Sequence, residues 1–166
     1  VDLQGFNIDT CAIVAPPGLR SIEYACIDGL DAGAFEQAIG DGYNQQYTVQ
    51  FDDGEWLMLP HAPGTADMEE KIDPDAQGPL YRVSVSARIG GDSADIRTEL
   101  NNMKQHRYLL RVTRRDGTVL LVGTPEQPLT FDSRFESGSE GGDFRGHRCA
   151  FEGVSPILSP HYVPVF

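Results

Sequence analysis

The chain has 166 residues and a mass of 18.2 kDa, with 25 acidic against 13 basic side chains, a formal net charge of −12 and a pI near 4.5. Apolar residues make up 40% and charged residues 23%, a composition that supports a packed core and excludes a disordered chain; the length suits one domain. No apolar run approaches the ~18 residues of a membrane-crossing helix, and the segment opening at Val1 has neither the basic start nor the apolar stretch of a signal peptide.

Glycine (18) and proline (11) break the chain at close intervals, the rhythm of an all-β fold. Residues 10–14 read as a strand closed by Pro16-Pro17-Gly18. Residues 19–27 read as a second, with Leu19, Ile22, Tyr24 and Cys26 near a two-residue period. Residues 28–42 are acidic and rich in small side chains, read as loop with a short helical turn at 35–39. Residues 47–51 and 55–59 flank Asp52-Asp53-Gly54, and an Asp-Gly step supplies the positive φ of a tight turn, so a hairpin is expected there. The stretch 60–78 reads as a long loop with one helical turn at 68–72.

Residues 80–89 form the longest alternating segment, with Tyr81, Val83, Val85, Ala87 and Ile89 as the core face. Gly90-Gly91 ends it, and a packed helix over about 93–105 comes next. Asp92 or Ser93 can cap this helix, Asp95 and Glu99 lie near its positive end, and Ile96, Leu100 and Met103 give it one narrow apolar stripe. Residues 108–113 and 118–122 around Asp116-Gly117 make a second hairpin. A short strand is expected at 129–133, a loop at 134–145, and a strand at 146–153 with His147, Cys149 and Phe151 on one side. The tail, 155–166, is expected to be extended and to reach a neighbouring molecule. The whole reads as a single mainly-β domain, an antiparallel sandwich or barrel with one packed helix.

Cys11, Cys26 and Cys149 are odd in number, match no zinc spacing and sit among apolar neighbours, so buried free thiols and a reducing compartment are expected, with one disulfide as the alternative. His61, His106, His147 and His161 show no ligand spacing, and no nucleophile motif occurs around Ser137-Gly138-Ser139. Asp73 and Asp75 have the D-x-D spacing of a calcium loop without its other positions. The sequence therefore points away from an enzyme, a cofactor or a metal.

The charge is unevenly placed. Residues 1–78 hold 15 acidic and 2 basic side chains, a net of −13, whereas residues 79–166 hold 10 acidic and 11 basic, a net of +1. Eight of the basic residues lie between Arg82 and Arg115. One half can attract the other half of a neighbouring copy, which makes Arg82, Arg88, Arg111, Arg114, Arg115, Asp52 and Asp53 candidate subunit-interface residues. The plain alternative is a sheet face with outward arginines that bind nothing. The net negative charge opposes non-specific phosphate binding, although a local basic face lining a channel is compatible with DNA passing nearby.

The chain also has a characteristic layout. Pro17-Gly18 precedes a strand, the long alternating strand leads into the helix, and the Asp116-Gly117 hairpin ends in Gly123-Thr124-Pro125. A serine-glycine loop (Phe135-Glu136-Ser137-Gly138) then leads into Asp143-Phe144-Arg145-Gly146-His147-Arg148-Cys149-Ala150-Phe151. Over residues 17–28 and 80–153 this layout resembles small virion structural proteins of phages and prophages of gut bacteria. The resemblance implies a non-enzymatic tail or neck subunit that self-assembles into rings or stacked rings with other virion proteins, located in the virion after assembly in the bacterial cytoplasm. The competing expectation is a ligand-binding β-sandwich module, carbohydrate-binding or adhesin-like, built around Trp56 and the tyrosines.

Overall fold

The computed structural model describes residues 16–39, 46–51, 54–73, 78 and 80–162. One wing is built on the alternating segment Tyr81–Gly90 (β6), whose Val83, Val85, Ala87 and Ile89 are buried on one side. Asp67–Ile72 (β5) pairs antiparallel along one edge of β6, and Gly146–Ser155 (β10) along the other. Leu129–Glu136 (β9) extends this wing beyond β10. Gly146 starts β10 close against β6: a Cβ there would overlap the Ile89 carbonyl oxygen, so only glycine fits.

A second wing is built on Arg107–Arg114 (β7). Leu19–Cys26 (β1) pairs along one edge of β7 and carries the two-residue strand Leu57–Met58 (β4) on its own far side. The other edge of β7 is shared. Residues 110–113 pair with Val119–Val122 (β8), and residues 107–108 pair with β9. The sheet therefore branches at β7, and the two wings are joined there. Beyond β8 lie His161–Tyr162 (β11), Gln46–Phe51 (β3) and Leu30–Ile39 (β2). Among the described residues the strands form one eleven-stranded, mostly antiparallel sheet that does not close into a barrel.

The wings meet over one hydrophobic cluster, which includes Ile22, Leu110, Val112 and Val122 from one and Val85, Leu129, Phe131, Cys149 and Phe151 from the other. Tyr108 and Phe151 meet edge to face at 5.7 Å, and Phe131 packs on Phe151 at 4.9 Å. Fully burying a side chain such as Phe151 or Ile22 contributes roughly 1.5–3 kcal/mol. The connection after β4 ties the free side together: Leu59 N–H donates to Ile22 O, Ala62 N–H to Arg88 O, and Leu19 N–H to Ala66 O. A smaller cluster of Val49, Leu109 and Leu121, with Ile27, Leu30, Trp56 and Tyr162 packed on it, covers the opposite face of β7 and β8.

The helix Ala94–Met103 (α1) begins at Ser93, whose Oγ accepts from Ile96 N–H at 3.2 Å. Leu100 and Met103 are buried and Ile96 partly so, matching the narrow stripe. The Tyr108 hydroxyl donates to the Met103 carbonyl at 3.1 Å and satisfies the helix end.

The structure corrects several expectations. The hairpin through Asp52-Asp53-Gly54 does not form, because β3 pairs with β2 and β11 while β4 pairs with β1. The helical turns expected at 35–39 and 68–72 are parts of β2 and β5, so the long loop at 60–78 contains an edge strand. The strand expected at 129–133 runs on to Glu136, which shortens the loop expected at 134–145. That loop is closed by a tight turn, where the Asp143 carboxylate accepts from Ser139 N–H and Glu140 N–H. The tail, expected to be extended, forms β11 at residues 161–162, which lies parallel to β3 and antiparallel to β8 inside the same sheet. Residues 10–14, including Cys11, lie outside the described residues.

Candidate subunit interface

Of the candidate interface arginines, Arg111 is the least available. It stands on β7 opposite Glu23 of β1, and its guanidinium donates to both carboxylate oxygens, from Nε at 2.8 Å and Nη2 at 2.6 Å. Only 23% of the Arg111 side chain and 18% of that of Glu23 are exposed. The same guanidinium lies 5.1 Å from the ring centres of both Trp56 and Tyr162, which themselves meet edge to face at 5.9 Å. This is an internal clamp between β1, β7, β11 and the segment leading into β4.

Arg82 donates to buried Asp73 at 2.8 Å, and Arg88 lies over the Phe144 ring with Glu136 at 3.9 Å. Arg97 and Lys104 likewise pair within the chain, with Asp92 and Asp132. Five of the eight basic residues between Arg82 and Arg115 thus face carboxylates of the same molecule.

Arg114 and Arg115 differ. They sit at the β7–β8 turn, both are exposed, and neither makes an ion pair among the described residues. The turn itself is well tied. Arg114 N–H donates to Thr118 O at 2.8 Å, Gly117 N–H to Arg114 O at 3.0 Å, and Thr118 N–H to the Asp116 carboxylate at 2.9 Å. Gly117 supplies the required positive φ of 89°. Asp116 is held below the usual carboxylate range, chiefly by that Thr118 hydrogen bond.

The surroundings of this tip are two-sided. Arg115 shares a shallow groove with Arg20, Met58, Pro60, His61 and Pro63. Met58 is 65% exposed, and β4 has no strand partner beyond β1 among the described residues. Arg114 lines the adjacent hollow together with Asp67, Glu70 and Asp116. Glu70 there accepts from the Ser159 backbone N–H and hydroxyl. Asp52 and Asp53 lie outside the described residues.

Two other groups of titratable side chains come together. Asp92 accepts from Arg97 at 2.6 Å through both oxygens and meets His147 Nε2 at 3.1 Å. The Arg97 hydrogen bond holds the Asp92 carboxyl down to about 2. His147 is buried against Phe135, and Arg97 lies over the same ring, so the group ties the start of α1 to β9 and β10. The second group, Cys26, Asp28 and His106, offers three different metal-ligand types; Asp28 and His106 are separated by 78 residues, beyond the reach of any local spacing rule. Burial pushes the Cys26 thiol up, and pushes that of Cys149 up to about 12, so Cys149 is a small hydrophobe of the core. Cys26 and Cys149 are free thiols. Comparison with protein-family models, curated proteins and solved structures finds no match.

Proposed function

We propose that the chain is a non-enzymatic structural subunit of a phage or prophage tail or neck, which assembles with copies of itself into a ring or stacked rings and joins other virion proteins. The observation that carries this reading is the β7–β8 tip. Two exposed arginines stand there on a rigid turn beside an exposed apolar edge, in a molecule of net charge −12. A ring requires a heterologous contact, in which one patch docks on a different patch of the next copy. An arginine tip meeting an acidic surface satisfies that requirement, and Met58 adds apolar area at its margin. The mainly-β architecture with a single flanking helix is the one the resemblance implies.

The carbohydrate-binding alternative draws on aromatic rings laid open to a sugar. Trp56, the chain's one tryptophan, is instead engaged by Arg111 and Tyr162, which favours assembly over that alternative. The Asp92 and Glu23 carboxylates are likewise occupied by arginines as structural ties.

The test is the solution mass of the full chain over a wide concentration range, followed by electron microscopy of the largest species. Discrete oligomers that image as rings are expected. A strict monomer at the highest attainable concentration overturns the proposal.

A further inference from the structure

The geometry points to a zinc site formed by Cys26, Asp28 and His106, independent of the assembly reading. Cys26 is the last residue of β1, and its pairing with Tyr108 sets it beside the start of β7. His106 immediately precedes that strand, with its backbone N–H on the Met103 carbonyl. Asp28 lies in the single 3-10 turn Ile27–Gly29 that comes after Cys26. Two backbone features, the β1–β7 register and this turn, thus bring a thiol, a carboxylate and an imidazole to one place.

Two of the three ligand separations are those of a coordination shell. Cys26 Sγ lies 3.5 Å from Asp28 Oδ2, His106 Nδ1 lies 3.3 Å from the same oxygen, and all three ligand atoms fall within 4.8 Å of one another. Zinc binds sulfur at about 2.3 Å and nitrogen or oxygen at about 2.0–2.1 Å, tetrahedrally. Those bond lengths set tetrahedral edges of about 3.5 Å between sulfur and oxygen and about 3.3 Å between nitrogen and oxygen. The two separations onto Asp28 match these edges, so an ion can enter without rearranging that pair of contacts, and the third edge, between Cys26 Sγ and His106 Nδ1, is no longer than 4.8 Å. Thiolate with imidazole and one carboxylate selects zinc over calcium or magnesium, which take oxygen ligands.

A fourth position is open. The three residues line a concavity with Gly29, Gly54, Glu55 and Leu57, in which a water would complete the shell. Bound zinc would clip the β1–β2 connection to the α1–β7 junction, two segments far apart in the chain.

The test uses the full chain, stripped of metal with a chelator and titrated with Co²⁺ and then Zn²⁺. Expected is one equivalent of Co²⁺ giving a thiolate-to-metal charge-transfer band and tetrahedral visible bands, both bleached by Zn²⁺. Cys26→Ser removes the charge-transfer band, while Cys11→Ala keeps it. Asp28→Asn and His106→Gln lower zinc affinity by more than the ~10–100-fold typical of losing an outer-shell partner. His106 and Asp28 are exposed, so these two variants fold and carry the test if Cys26→Ser does not. No thiolate band in the parent chain overturns the site. So does a band that survives Cys26→Ser, or zinc affinity unchanged in both His106→Gln and Asp28→Asn.

Discussion

At the level of single residues, Arg111 shows why a sequence count of arginines overstates what is free to bind. It is charged, lies in the basic segment, and is nevertheless held by Glu23, Trp56 and Tyr162. Arg111→Ala leaves the mostly buried Glu23 carboxylate without its partner and is expected to destabilise the fold by about 2–3 kcal/mol. Replacing both residues, as in Arg111→Met with Glu23→Leu, should recover most of that loss, because no charge is stranded. Urea denaturation followed by the fluorescence of Trp56 reads both, and equal losses in the single and double variants would contradict the clamp. Asp92 gives a pH-dependent counterpart. Its carboxyl titrates near 3.8 when free and at about 2 in the fold. The unfolded chain therefore takes up this proton first as pH falls. The stability it contributes is complete above roughly pH 4 and is lost on the way down to about 2. Asp92→Asn should flatten this part of the acid-denaturation curve, and an unchanged slope between pH 4 and 2 would refute the assignment.

Elements were legible in the sequence where their own pattern decides their state. β6 alternates along its whole length, α1 has a capping serine and a stripe at Ile96, Leu100 and Met103, and β7–β8 is a local hairpin closed by Asp116-Gly117. Those segments formed as read. β2, β5 and β11 were not legible, because none carries a strand pattern of its own: β2 and β5 take their state from the strand that comes next, β3 and β6, and β11 from β3 and β8, far away in sequence. β5 carries Asp67, Glu69, Glu70 and Lys71 on an edge, a pattern a helix would equally accept, and β6 supplies its hydrogen bonds. The Asp-Gly signal at residues 53–54 misled because β11 occupies one edge of β3 and β2 the other. The candidate sites obey the same rule. The tip arginines were visible as charges, whereas the grouping of Cys26 and Asp28 with His106 depends on the β1–β7 register. The role of β11 is directly testable. Ending the chain at Ser159 removes the Pro160 carbonyl that accepts from Leu121 N–H, and Tyr162 from the Arg111 clamp. Faster amide exchange at Leu121 and a lower melting temperature are expected. Parent-like protection would show that β11 does not hold β3 to β8.

At the level of the whole molecule, part of the charge asymmetry is met inside the chain. Arg82 and Arg111 meet Asp73 and Glu23 of the acidic half, so the two halves already attract one another within one copy. Of the candidate interface arginines, Arg114 and Arg115 remain for a neighbour, with the β4 edge beside them. The contact this predicts has a definite salt response. The Debye length shortens from about 8 Å at 0.15 M to about 3 Å at 1 M salt, so an arginine-to-carboxylate contact at a solvent-exposed rim weakens over that range. An association driven by apolar contact at Met58 alone would not weaken. Oligomers of the parent chain should therefore shift toward monomer as salt rises. Arg114→Glu with Arg115→Glu should dissociate them even at low salt. That double reversal also makes the molecule more acidic, which favours monomers through general repulsion. Arg107→Glu with Arg145→Glu changes the net charge equally at two other exposed positions and separates the two effects. Sedimentation velocity on all three proteins decides the matter. If the tip variant alone dissociates, the β7–β8 turn is the docking element; if both variants dissociate alike, net charge governs assembly and the tip has no special part in it.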